Sequence, residues 1–197
     1  MTRAPDYDRT RQDLGNIVLL EHVNVTIPDQ RLATIFYVSG LGLTRDPYLI
    51  VELNVPRGTA PGIVRFYERF MGAHARLEAG TSQAAVVATG AAQHLRFRET
   101  DHPQPAYDGH HVQVYVADFS GPHRRLAERG LSTEESSEHQ YRFRDIVDPA
   151  SGGCLFTLEH EVRSFTHPLY ARPLVNRNPA QSNREYTRGH DAFRGTY

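Results

Sequence analysis

Between residues 17 and 27 the chain alternates in period two: Val23, Val25 and Ile27 take one phase, His22, Asn24 and Thr26 the other. That is the period of a strand, whose successive side chains point to opposite faces of a sheet. The pattern predicts one apolar face for packing and one polar face for chemistry. The next stretch, QRLATIFYVS, is predicted as a helix capped by Asp29 and ended by Gly40. An aspartate accepts from the free N–H groups of a first turn, and a glycine takes the left-handed closing conformation at little cost.

The same order returns twice. YLIVELNVP is a second predicted strand, followed by Thr59 as cap, Pro61 in the first turn, the helix GIVRFYERFM and Gly72 as stop. HHVQVYVAD is a third, followed by Ser120 or Asp118 as cap, Pro122, the helix HRRLAERG and Gly130. After each of these helices come three further strand candidates divided by turn residues. They are AHARLEA, QAAVVATG and QHLRFRET in one case, and LSTEES, EHQYRFRDIVD and GCLFTLEHEV in the other.

A repeat read this way predicts the architecture as a whole. Residues 1–15 are a flexible lead-in, 16–45 a partial strand-helix unit, 48–101 a first complete βαβββ module, 110–163 a second, and 164–197 an extended C-terminal arm. The first strand-helix pair lacks its three strands. An unpaired edge of that kind invites dimer formation by strand pairing, and a homodimer is expected.

Composition narrows the function classes. The 197 residues carry 22 Lys+Arg against 23 Asp+Glu, a formal charge of -1. A near-zero balance removes the bulk electrostatic argument for nucleic acid or an anionic membrane surface. Arginine-rich pieces such as RFRET and RFRD are read as solvated strand faces. The single cysteine, Cys154, excludes an intramolecular disulfide or a thiolate cluster. With a charged N-terminus and no long apolar run, the chain is expected to be cytoplasmic and to act on a small molecule, without nucleic-acid or membrane partners.

Tandem strand-helix-strand-strand-strand units, with His or Glu opening the first strand and Glu closing the last, resemble the vicinal oxygen chelate superfamily. The superfamily includes glyoxalase I, fosfomycin and bleomycin resistance proteins and extradiol dioxygenases. The resemblance covers roughly residues 17–163 and is carried by GHHVQVYVAD and YRFRDIVDPASGGCLFTLEHEV. It implies an α+β fold, in which tandem βαβββ modules form a curved, partly open barrel-like sheet with helices outside, around a divalent metal.

Strand phase then selects candidates. His111, Gln113 and Tyr115 share one face of their strand, opposite Val112, Val114 and Val116; Glu159 and Glu161 share a face opposite His160 and Val162. The resemblance implies Glu52, His111 and Glu159 as metal ligands, with His22 the alternative to Glu52 and Glu99 a candidate fourth. Oxygen-rich sets lean toward Fe2+ or Mn2+, with Zn2+, Ni2+ or Mg2+ also served, and two histidines with a carboxylate would be the triad of ferrous oxygenases. Tyr115 and Tyr141 are the candidate catalytic residues, as hydrogen-bond donors to an oxyanion or phenolic substrate. The function implied is that of a metalloenzyme acting on vicinal oxygens, dioxygenase-like first. Glyoxalase-like lyase or isomerase chemistry, and metal-free ligand or drug binding, stand as alternatives.

Overall fold

A computed structural model describes residues 15–24 and 49–170, with the backbone alone for residues 21–24 and 49. The helix expected after Asp29, most of the lead-in and the arm beyond residue 170 lie outside the described residues. Strands β2 (Leu49–Pro56), β3 (Ala75–Glu78), β4 (Ala84–Gly90) and β5 (Gln93–Thr100) form a four-stranded sheet in the order β2-β5-β4-β3. Strands β6 (His111–Val116), β7 (Ser132–Ser137), β8 (Gln140–Val147) and β9 (Cys154–Ser164) repeat it as β6-β9-β8-β7. In both sheets the first strand runs parallel to the last and the remaining neighbours are antiparallel. Parallel pairing needs a crossover. Helix α1 (Ala60–Phe66), continued by a π-helical turn over Tyr67–Met71, lies on the first crossover, and α2 (Ser120–Ala127) on the second.

β1 (Ile17–Asn24) joins the second sheet antiparallel to β6, so its order is β1-β6-β9-β8-β7. The edge expected to be left open along this strand is therefore paired on its β6 side. Its partner is distant in the sequence, beyond the whole first sheet, which local pattern does not encode.

The alternation legible in the sequence becomes an amphipathic division of both sheets. Val55, Leu95 and Phe97 from the first, and Val112, Val114, Phe143 and Val162 from the second, enter one continuous core. Helix α1 and its π-helical turn pack against this core: Ile63, Phe66, Tyr67, Phe70 and Met71 are all buried. Phe66 packs on Phe143 with ring centres 5.8 Å apart, and Tyr67 on Phe97 at 5.6 Å. Gly62 admits β9 closely, since a Cβ there would stand 2.6 Å from a Leu155 methyl. Gly72, at φ 64°, ends the π-helical turn in the left-handed region.

Thr59 holds the N-cap position, as expected, but its hydroxyl donates to the Pro56 carbonyl at 2.6 Å. The acceptor for the helix start is Glu99 instead, whose carboxylate takes the Ala60 N–H at 2.9 Å. Glu99 is 8% exposed. The residue weighed as a fourth metal ligand thus faces the first turn of α1, where negative charge is favoured.

Candidate functional site

Two places bring together the residues that chemistry would use. The first is the polar face of the five-stranded sheet. In register, His111 stands beside Glu159, Gln113 beside Glu161 and Tyr115 beside Arg163, and Arg142 of β8 stands opposite Glu161 from the other side. Residues paired across strands share a face, so all seven lie on one surface. Arg142 holds it together: one guanidinium nitrogen donates to Glu159 Oε1 at 2.5 Å and another to Glu161 Oε2. Arg163 pairs with Glu161 and donates to Gln140 Oε1 at 2.7 Å. Burial lowers the pKa of His111, and the Arg142 charge adds to that effect. Arg142, in RFRD, was expected on a solvated strand face. The signal that would have found Arg142 is its phase between Tyr141 and Phe143, which puts it opposite the glutamates of the neighbouring strand.

Tyr115 belongs to this face but is fully buried, covered by Tyr170 at 5.0 Å and Phe165 at 6.5 Å between ring centres. The described start of the C-terminal arm thus folds back as a lid over it. Tyr141 lies on the opposite face, paired with Val162 and packed against Phe119 and His123 of the α2 region. Burial raises its pKa. Placed on the packing side of β8, its hydroxyl points away from the polar face it was expected to serve.

Glu52 lies on the other sheet. There it accepts from Arg98 at 2.7 Å and faces Arg96 at 3.6 Å, and Arg96 also pairs with Glu78. The structure brings His111 and Glu159 together and keeps Glu52 apart from them. Among the described residues no three His, Cys, Asp or Glu side chains come together as a metal-binding group. The donor set fits a metal poorly for a chemical reason as well, because each of its carboxylates is already neutralised by an arginine. The backbone of β1 places His22 opposite Gln113 and Asn24 opposite His111, while the His22 side chain lies outside the described residues.

The second place is a cavity of about 440 Å3 between the sheets. It is lined by Glu52, Leu53, Asn54 and Pro56 of β2, by Gln104, Pro105, Tyr107 and His110 of the linker, and by Cys154, Leu155, Phe156 and Thr157 of β9. Neighbours in a strand point to opposite faces. Lining by consecutive residues therefore means that the cavity meets both strands along their edges. β2 is the outer strand of its sheet, and β9 comes into register with β6 only from Glu159 onward. Leucine, proline and phenylalanine make most of the lining, with carboxylate, amide, hydroxyl, thiol and imidazole groups among them. His110 is fixed there by Asp108 at 2.6 Å and by the Tyr107 ring at 5.1 Å.

Two βαβββ units in tandem, each closing with its last strand parallel to its first, are the repeat on which the sequence resemblance was built. The fold is α+β, as the resemblance implied. No family model and no curated protein matches the sequence. Among solved structures, the chain is similar to a glyoxalase family protein from Bacillus anthracis, at 16% identity, over 61% of this chain and 98% of that one, with a TM-score of 0.43. It is also similar to a fosfomycin resistance protein from Listeria monocytogenes, at 15% identity over 64% and 95%, TM-score 0.42. A third is a lactoylglutathione lyase from Agrobacterium tumefaciens, at 16% over 62% and 96%, TM-score 0.39. These likenesses assign no activity. No helix among the described residues is long and apolar enough to cross a membrane.

Proposed function

We propose that this protein binds a small, largely apolar molecule with a polar substituent in the cleft between β2, the 104–110 linker and β9, and that it does so without a metal. The cavity carries the reading: about 440 Å3 with a mostly apolar lining and a few polar groups is the usual form of a small-molecule site. The pairing of Glu52 and Glu159 with arginines on separate sheets supports the metal-free part. Exposed backbone groups on the two strand edges add hydrogen-bonding capacity at the rim.

The test is a thermal-shift screen of planar phenols and aromatic acids against the full chain and an Asn54→Trp variant. Asn54 is exposed and lines the cleft, so an indole there fills the cavity without disturbing the core. A ligand at about one hundred times its Kd stabilises the native protein by about 3 kcal/mol, and the variant is expected to lose that gain while melting like the parent. Equal shifts in both proteins would place the ligand elsewhere.

One observation favours a second reading. The β1 register brings the backbone of His22 alongside the strand of His111, so a metal set of two histidines and Glu159 would suit the dioxygenase-like chemistry that the resemblance implies, with glyoxalase-like chemistry its neighbour. Metal analysis separates the readings: a stoichiometric divalent ion in protein purified without added metal, lost in His111→Ala, establishes the second and ends the first. We further propose that the protein acts as a homodimer in the cytoplasm.

A further inference from the structure

We infer that Arg142 is a built-in cation, whose guanidinium holds the Glu159 and Glu161 carboxylates together and closes the polar sheet face to divalent metal ions. This rests on the metal-free reading above and goes beyond it, because it names the residue responsible. The geometry is that of a clamp. Glu159 and Glu161 are two apart on β9 and share a face. Arg142 reaches both, one guanidinium nitrogen to each, while its Nε lies 3.7 Å from Glu134. A planar fork spans two carboxylates in a way that a lysine ammonium does not.

Burial makes the clamp strong. The side chains of Arg142, Glu159 and Glu161 are 24%, 22% and 5% exposed. Charges so far withdrawn from water interact more strongly than surface pairs, and breaking such a pair leaves an uncompensated charge. Arg142 and Arg163 balance Glu159 and Glu161, and Glu134 at the edge leaves the cluster only one negative charge in excess. A divalent ion added to it would have to displace a guanidinium or leave an excess of positive charge. With Arg142 removed, two carboxylates remain beside His111, which supplies oxygen and nitrogen donors of the kind Mn2+ and Zn2+ take.

The experiment compares metal-stripped full-length protein with Arg142→Gln by calorimetric titration with MnCl2 and with ZnCl2. The wild type is expected to bind neither ion at this face. Arg142→Gln is expected to gain a saturable site for one ion per chain, and Glu159→Gln added to it to abolish the gain. A folded Arg142→Gln without gain, beside a wild type that also binds nothing, overturns the role of Arg142 and leaves the metal-free reading standing. Binding by the wild type that is lost in His111→Ala overturns the metal-free reading itself. If Arg142→Gln folds only when Mn2+ or Zn2+ is present, the inference is upheld. If it fails to fold with and without ions, Arg142→Lys decides: one ammonium cannot clamp both carboxylates, so a smaller gain upholds the inference and none overturns it.

Discussion

His160 is the residue whose chemistry is most fully determined by its surroundings. It is fully buried on the packing face of β9, stacked on Phe143 with ring centres 4.3 Å apart. Its Nδ1–H donates to the Leu158 carbonyl at 2.8 Å, so Nε2 accepts from the Tyr67 hydroxyl at 2.6 Å. Burial raises the Tyr67 pKa well above its usual value, which keeps that hydroxyl a donor. Burial likewise pushes the His160 pKa down to about 4. The unfolded chain takes up this proton near pH 6.5, whereas the native state refuses it until about pH 4. The unfolded state therefore binds more protons in that window, and stability falls as pH drops from about 6.5 to about 4. At most the loss is on the order of 3 kcal/mol. Urea unfolding at pH 7 and pH 4.5 checks it: His160→Gln keeps an acceptor for Tyr67 but does not titrate, so it should lose less stability on acidification. Parallel losses in the two proteins would exclude His160 as the source. Strand phase alone put His160 on the packing side; its partner Tyr67, 93 positions away, was beyond any local pattern.

Among the elements, Asn16 does the joining. Its Nδ2 donates to the Met71 carbonyl at 2.8 Å and to that of Asp118 at 3.1 Å, and its Oδ1 accepts from the Asp118 N–H at 2.6 Å. Its backbone adds bonds to Gly72 and Ala117. One side chain thus ties the end of the α1 turn to the turn that precedes α2, where Asp118 caps the Gly121 N–H at 3.0 Å. Net hydrogen bonds contribute about 1 kcal/mol each, so Asn16→Ala is expected to destabilise by about 2 to 3 kcal/mol in chemical denaturation. A change below about 0.5 kcal/mol, the range of surface substitutions, would show that the tie is idle. The capping signals were legible here in unequal measure. Asp118 and Gly72 act where the pattern put them, whereas the acceptor at α1 turned out to be Glu99, brought in by β5 from across the sheet.

For the whole molecule, the cleft and the clamp are both products of assembly. The proposed homodimer has a second candidate basis beside the outer edge of β1, namely the outer strands of the other sheet. Ile50 on β2 and Leu77 on β3 are 62% and 45% exposed, and outer strands with exposed apolar groups recruit partners. Sedimentation velocity at micromolar protein should give twice the chain mass of 22.3 kDa. An Ile50→Lys, Leu77→Lys double variant should sediment as one chain, and a wild type already monomeric would rule the dimer out.

The sequence by itself determined the described strands, the two described helices and the faces that the residues of β6 and β9 take, because periods of 2 and 3.6 are set by backbone geometry and need only neighbouring residues. It therefore placed His111 and Glu159 on the polar faces of their strands. Only the tertiary structure decided that β1 lies beside β6, that Glu52 stands on a different sheet from His111, that Arg142 grips Glu159 and Glu161, and that a cavity opens between two strand edges. Those outcomes depend on which strands meet and in what register, and that is settled by burying a shared core among residues far apart in the chain.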